Sequence, residues 1–404
     1  MLKKIAILLA GAILVLTSCS PSINNEDEVV QNNEEETQQK QTSIVSSKLS
    51  DENYRTILPY RPSASRGVII NQMGNRVDID EMETGLRRLS KAYYDPDQYF
   101  FEEGQYLTSD MLYNWLDTYP TDEQLETMKE RVEDEKDSFS EADLNARKQA
   151  LNPPLNEETA TKEDYENNPK YLSHILEQNF LQRNEDDTVQ LVGASIGIAL
   201  KSTYRFEVEG NPDHEDISQS EMLEKGQEIA QTVLERVRDI EEMRDIPIMI
   251  ALYREEDQNS PVPGNYVAKT SVESGQASID EWETVQEENV LFPSDEGEEK
   301  YYDTHQLVQN FGSRIETYFP NYVGVVGEGF YIDEELQKLT LEIPLEFYSK
   351  GEVIGFTQYT SGLVDEMFQD YYDLEVKINS AEKMESVIYR EAGSSQADVH
   401  IYDS

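Results

Sequence analysis

Cys19 is the only cysteine in a chain of 404 residues, and it closes the run Leu16-Thr17-Ser18-Cys19. Ahead of it stand Lys3 and Lys4, then an apolar run from Ile5 to Leu16, 12 residues long. That is the length of a signal-peptide core and too short to cross a bilayer, which takes about 20 apolar residues. Small residues just before a thiol suit the pocket of a lipoprotein signal peptidase. The spacing therefore points to acylation of the Cys19 sulfur and cleavage between Ser18 and Cys19. Two or more acyl chains give stable attachment where one holds only marginally. The expected partner of the mature terminus is the membrane, and the expected location is the extracellular face. With a single cysteine no intramolecular disulfide can form, even though export permits them.

Other residues with catalytic or ligating potential are dispersed. His174, His214, His305 and His400 show neither H-x-x-x-H nor H-E-x-x-H spacing, and no second cysteine exists to build a zinc site. Asp213-His214-Glu215-Asp216 follows Gly210-Asn211-Pro212 and reads as a solvated loop rather than a cation site. No metal or cofactor is expected. There is no G-x-S-x-G, no glycine-rich phosphate loop and no distinct Ser-x-x-Lys motif, so no catalytic residue is assigned. Carboxylates are so numerous that pairs at glycosidase spacing are inevitable and uninformative. A binding or scaffold body is the leading expectation. The alternative is an envelope-associated hydrolase or a metal-binding protein that uses acidic residues.

The chain holds 82 Asp+Glu against 34 Lys+Arg, a formal charge of -48. Its general field has the wrong sign for nucleic acid or an anionic lipid surface. The acids are scattered along the whole length, which fits a solvated surface better than one acidic binding block.

Five segments must position these residues. After the signal peptide (1–18), residues 19–52 are rich in Asn, Gln, Glu, Ser and Thr and read as a disordered tether. At about 5–6 Å times the square root of its length, it reaches on the order of 30 Å. Residues 53–168 carry a helix pattern near 79–92, with Met82, Leu86 and Leu89 on one face. An aromatic stretch follows, in which Tyr93, Tyr94, Tyr99 and Tyr106 are candidates for a binding surface, although core packing is the commoner use of such residues. Charged, exposed helices are expected over Asp122 to Lys136 and Glu141 to Leu151. Residues 169–293 and 294–404 read as two repeat units of helix, strand, helix, strand. The first opens with a helix through Tyr171, Ile175, Leu176 and Phe180, then a strand with Ile196, Ile198 and Leu200. The long helices of both units share the apolar spacing i, i+1, i+4, i+5, i+8, as at Ile229, Ala230, Val233, Leu234 and Val237. The fold class is therefore α+β: tandem α-β-α-β units, helices on one face of largely antiparallel sheets, preceded by an aromatic-rich region.

The chain resembles the CamS sex-pheromone lipoproteins of Gram-positive bacteria. The resemblance rests on the lipobox at Cys19, on Asn53-Tyr54-Arg55-Thr56-Ile57-Leu58-Pro59-Tyr60 with Ala64-Ser65-Arg66-Gly67, and on Tyr171-Leu172-Ser173-His174-Ile175-Leu176-Glu177-Gln178-Asn179-Phe180. It continues through Asp245-Ile246-Pro247-Ile248, Val262-Pro263-Gly264, Ile354-Gly355-Phe356-Thr357-Gln358-Tyr359 and Val399-His400-Ile401-Tyr402. It implies a tandem-repeat α+β body and a short apolar peptide, cut from the end of the signal sequence, that acts as a mating signal. The corresponding segment is Ala12-Ile13-Leu14-Val15-Leu16-Thr17-Ser18. The resemblance lends the body no activity; an envelope protein or peptide is its expected partner, and nucleic acid is not.

A charge of -48 on 404 residues makes surface carboxylates repel one another. Raising sodium chloride from about 0.1 M to about 1 M shortens the screening length from about 10 Å to about 3 Å. The melting temperature of the soluble body, residues 53–404, is expected to rise over that range, equally in potassium chloride; a flat or falling value in a thermal scan refutes the repulsion argument.

Overall fold

A computed structural model describes residues 53–134, 138–184, 188–319, 321–347 and 349–403, together with the backbone of two four-residue strands at 28–31 and 41–44. The signal peptide, Cys19 and all of the tether except those two strands lie outside the described residues.

The first sheet holds nine strands in the order β1-β2-β3-β4-β5-β6-β9-β10-β11. They are β1 (Glu28–Gln31), β2 (Gln41–Ile44), β3 (Arg55–Leu58), β4 (Phe100–Glu103), β5 (Leu172–Arg183), β6 (Thr188–Leu200), β9 (Ile248–Arg254), β10 (Asn265–Val272) and β11 (Glu283–Thr284). A separate hairpin is formed by β7 (Thr203–Val208) and β8 (Asn211–Asp216). The second sheet runs in chain order through β12 (Glu287–Phe292), β13 (Val326–Ile332), β14 (Glu335–Pro344), β15 (Asp373–Asn379), β16 (Met384–Arg390) and β17 (Asp398–Ile401).

One chain path occurs twice. In the first sheet β5 and β6 form an antiparallel hairpin, a long helix (Gln219–Arg238) crosses over, β9 returns parallel to β6, and β10 turns back antiparallel. In the second sheet β13 and β14 form the hairpin, a helix (Lys350–Met367) crosses over, β15 lies parallel to β14, and β16 turns back. In each repeat an arginine organises the turn from crossover helix to strand. Arg238 donates to the carbonyls of Met243 and Ile246, both at 2.7 Å, and Arg390 donates to that of Phe368 at 3.0 Å.

The opening element of the first unit differs from expectation. The run through Tyr171, Ile175, Leu176 and Phe180 is strand β5, not a helix. Its apolar residues fall at helical spacing because both of its faces are covered, which removes the alternation that marks a strand. Glu177, which a helix would turn to solvent, is buried, and its carboxylate accepts the N–H groups of Gln105 at 2.9 Å and Leu107 at 2.7 Å.

The placing of helices on one sheet face holds for the second sheet and needs correction for the first. Inward residues Leu339, Leu341, Ile343, Leu374, Val376 and Ile378 pack with Phe311, Phe356, Leu363 and Val364. The reverse face carries Lys338 and Glu375, ion-paired at 3.3 Å. In the first sheet β9 reads Ile248-Met249-Ile250-Ala251-Leu252-Tyr253, and every one of these residues is buried. Ile248, Ile250 and Leu252 pack in the core of the crossover helix, with Ala230, Val233 and Leu234. Met249, Ala251 and Tyr253 pack on the other side with Ile79, Met82 and Leu86 of the helix Arg76–Ser90. An unbroken apolar strand must be covered twice, since each fully exposed large apolar side chain forfeits about 1.5–3 kcal/mol.

The expected charged helices are present but shorter. Asp122–Glu133 and Glu141–Arg147 each begin with a capping box, and the first buries no residue. Strands β3 and β4, from the segment read as an N-terminal region, join the first sheet.

Helical glycines separate buried from exposed faces. A Cβ on Gly85 meets the ring of Tyr266 at 2.9 Å, and that ring is held by its hydroxyl bond to the Met82 carbonyl at 2.8 Å. A Cβ on Gly362 meets nothing within 4 Å. Gly85→Ala is expected to cost about 1–3 kcal/mol through overpacking, whereas Gly362→Ala gains up to about 1 kcal/mol from helix propensity. Urea unfolding of the two variants checks the opposite signs.

Candidate functional site

The aromatic residues singled out in the sequence do not form one surface. Tyr94 is buried, stacks on Phe180 with ring centroids 4.3 Å apart, and donates to the carbonyls of Ala194 at 3.1 Å and Pro247 at 3.0 Å. It is a core residue, and its candidacy for a binding surface is withdrawn: its hydroxyl needs a partner once buried and finds two in the backbone. Tyr93 and Tyr99 pack, partly buried, on the same cluster, while Tyr106 packs on the cluster across the sheet.

The remaining candidates are also separated. His174 is fully enclosed in β5, and burial lowers its imidazole to about 3, so it stays neutral. Asp213 and its neighbours lie on β8, where Asp213 is bound to Lys162 at 2.6 Å and Asp216 accepts from Thr203 at 3.2 Å. No three His, Cys, Asp or Glu side chains among the described residues are grouped to hold a metal ion.

What the fold does bring together lies where the two repeats meet. The helix Arg76–Ser90 backs the first sheet and reaches the second. Arg88 donates to Glu81 at 2.6 Å and makes a two-point pair with Glu287 of β12, at 3.1 and 2.9 Å. Its guanidinium also sits over the ring of Phe330 in β13, 4.3 Å from the centroid. Burial pushes the Glu81 carboxyl up, and Arg88 opposes that shift. In the first turn of the same helix, buried Asp78 accepts the Gly264 N–H at 2.7 Å and the Tyr253 hydroxyl at 2.8 Å. Asn75 donates to the Ser260 carbonyl at 2.9 Å, and Asn289 of β12 donates to that of Gly264 at 3.2 Å. Only glycine fits at 264, because a Cβ there falls 1.9 Å from the Arg254 carbonyl oxygen.

These bonds hold the Pro261-Val262-Pro263 loop as one wall of a cleft of about 610 Å³. Glu256, Glu287, Glu288, Glu296 and Glu334 line it against Arg254 and Lys300. Lys300 is bound to Glu288 at 2.9 Å and Glu296 at 2.8 Å, and Arg254 to Glu256 at 3.2 Å. Burial raises the Glu256 carboxyl. No histidine or cysteine lines the cleft, and its serines are engaged: Ser260 bonds the Val262 carbonyl and Ser294 that of Leu291. The arrangement offers an apolar rim and surplus negative charge, suited to an extended cationic segment. Val262-Pro263-Gly264 was visible as a motif; Asp78, Arg88 and Glu287 were hidden among many charges.

The sequence profile described as CamS sex pheromone cAM373 precursor matches residues 60–396. The chain belongs to the CamS family. Its fold is shared with the crystal structure of a sex pheromone precursor from Lactobacillus salivarius, at a TM-score of 0.77 and 26% identity, over 90% of this chain and 99% of that one. The C-terminal domain of the sex pheromone staph-cAM373 precursor from Staphylococcus aureus is similar at a TM-score of 0.69 and 26% identity, over 82% and 99% of the two chains. No curated protein matches the sequence. The CamS match includes both repeats and the cleft; it does not extend to Ala12–Ser18 or Cys19.

Asp78 supplies a pH test of the junction. Burial pushes its carboxyl up from 3.8 to about 6, against the hydrogen bonds from Gly264 and Tyr253. The folded chain therefore binds this proton more tightly than the unfolded one. The stability it contributes is full below about pH 4 and is lost as pH rises through 6. Asp78→Asn keeps an acceptor without the charge. It is expected to match wild type near pH 4 and to exceed it by roughly 2–3 kcal/mol near pH 8, from about 1.4 kcal/mol per pKa unit. Urea midpoints across that pH range measure the difference.

Proposed function

We propose that this CamS-family chain is a surface lipoprotein, held on the extracellular face of the membrane by acylated Cys19, whose body binds an envelope protein or peptide. The observation that carries the anchoring is Leu16-Thr17-Ser18-Cys19 behind a short apolar core and two lysines. Among the described residues, no helix is long and apolar enough to cross a membrane. Diacylglyceryl transfer from a membrane phospholipid makes a thioether on the sulfur: the thiol loses its proton, the glyceryl C–O bond to the phosphate breaks, and the headgroup leaves as its phosphate ester. The peptidase then hydrolyses the Ser18–Cys19 bond, and a second cut before Ala12 frees the heptapeptide Ala12–Ser18 as a mating-signal peptide. Its aliphatic residues suit an apolar receptor pocket, and Thr17 and Ser18 give it a hydroxyl-bearing end.

The body acts as a binding module through the cleft between its repeats. Glu296 and Glu334 line that cleft and are exposed. The charge surplus selects a cationic segment, and the Pro261–Pro263 wall accepts its apolar parts.

Mass spectrometry of the mature N-terminus is expected to show a lipidated Cys19, and a Cys19→Ala chain to leave the membrane in a salt wash. An unmodified cysteine, or a variant that stays bound, refutes anchoring. Synthetic Ala12–Ser18 is expected to induce a plasmid donor's mating response; silence at saturating dose refutes signalling. For the body, capture of an envelope partner is expected to fall at least tenfold in a Glu296→Lys, Glu334→Lys double variant. Capture unchanged by that variant refutes the cleft.

A further inference from the structure

Two buried side chains face each other across β4 and β5, and each holds an oxygen without a hydrogen-bond partner among the described residues. Glu102 of β4 lies directly opposite Asn179 of β5. Glu102 is 5% exposed and Asn179 is fully enclosed. In the same register the Gly104 N–H donates to the Glu177 carbonyl at 3.1 Å, so Glu102 and Asn179 form a hydrogen-bonded backbone pair. Their Cα atoms stand about 5.5 Å apart, and their side chains leave the same sheet face. The unpartnered atoms are Glu102 Oε1 and Asn179 Oδ1. Two acceptors have nothing to exchange, whereas one proton between them satisfies both.

Asn179 is oriented by its other end. Its Nδ2 donates to Glu177 Oε1 at 2.8 Å, which leaves Oδ1 to accept. Glu177 is not the carrier of the proton. Its Oε1 also takes the Gln105 N–H at 2.9 Å, and its Oε2 takes those of Tyr106 at 3.1 Å and Leu107 at 2.7 Å. An O–H on either oxygen would meet a donor. Burial raises both carboxyls, Glu102 to about 7; four hydrogen bonds oppose the rise at Glu177, and only Arg61 opposes it at Glu102.

Few other charges face Glu102. Arg61 Nη1 lies 3.2 Å from Glu102 Oε1 but without hydrogen-bond geometry. It belongs to a segment tied to the end of β4, where Tyr60 and the Ser63 N–H bond Glu103 and Ala64 donates to the Gly104 carbonyl. Arg55 of β3 is placed over the Phe100 ring, 4.8 Å from its centroid. Asp110, the single charge on the helix Ser109–Leu116 packed on β5, is exposed. Tyr106 feels both Glu102 and Glu177, with Glu242 acting on it as well.

We propose that Glu102 is a proton switch in the first sheet. Protonated, it donates to Asn179 Oδ1 and completes a buried relay from Glu102 through Asn179 to Glu177. Ionised, it gives up that bond and draws the Arg61 guanidinium into a hydrogen-bonded pair, which tightens residues 60–64 on the end of β4. The proton passes to and from water, and no other bond changes. The folded chain holds this proton more tightly than the unfolded one. The stability it contributes is therefore full below about pH 4.5 and lost as pH rises through about 7. None of these residues lines the cleft between the repeats, so the switch does not depend on what the cleft binds.

Infrared spectra of the mature chain between about pH 5 and about pH 9 read a buried carboxylic acid directly. Subtracting the spectrum of Glu102→Gln isolates the Glu102 band and cancels that of Asp78. The band is expected to vanish with a midpoint near pH 7. In Arg61→Ala the midpoint is expected to rise by about one pH unit, a tenfold gain in proton affinity once the opposing charge is gone. Arg61 is partly exposed, so its variant reads the switch even where Glu102→Gln loses stability. Exchange of the Ser63 and Ala64 amides, corrected for its intrinsic pH dependence, is expected to slow about threefold across the transition in wild type and not in Arg61→Ala. A difference spectrum without the band overturns the proposal, since an ionised Glu102 bridged by water then accounts for the pair. So does a midpoint that Arg61→Ala leaves in place.

Discussion

Arg88 holds the two repeats in one arrangement. A half-buried guanidinium must be paired, and here it bonds Glu81 on its own helix and Glu287 across the junction. Removing Arg88 leaves the Glu81 and Glu287 carboxylates facing each other in a poorly solvated site without their cation, at a cost of about 3–5 kcal/mol on the scale of a broken buried pair. The planar fork matters: two parallel bonds to Glu287 fix the angle of β12, and the face of the guanidinium lies on Phe330. A lysine could supply the charge but not that geometry. Glu287 also lines the cleft, whose opposite loop at Val262-Pro263-Gly264 is held by Asp78, Asn75 and Asn289.

The repeats share a path but differ in cover. Both run hairpin, crossover helix, parallel strand, antiparallel strand, and both steady the helix-to-strand turn with arginine. The second sheet keeps one polar face with ion pairs across its strands. The first is a three-layer structure because the helix Arg76–Ser90 covers its reverse face. That added helix brings Asp78 and Arg88 to the junction. The asymmetry of the two repeats is therefore the physical origin of the cleft.

Membership of the CamS family and likeness to solved sex pheromone precursors concern the folded body. The chemistry proposed for the leader rests on its linear sequence, outside the residues matched by the family. The two parts need not act together.

The sequence by itself determined what depends on local order. The proposed role of Cys19 is read from consecutive residues, Leu16-Thr17-Ser18-Cys19 behind a short apolar run, and needs no fold to be read. The strands at Leu341 to Leu345 and Leu374 to Ile378 were legible because one face is solvated, so apolar and polar residues alternate. The long amphipathic helices carried their own periodicity. Tertiary structure decided the rest. Strand β5 looked helical because burial on both faces erased its period of two, and its polar residues find partners far along the chain, as Glu177 does at Leu107. Tyr94 looked available for binding until Phe180 and two carbonyls enclosed it. Asp78, Arg88 and Glu287 were anonymous among 82 acids and 34 bases. Their roles depend on distances that no local spacing encodes, because each partner is chosen by how the sheets pack.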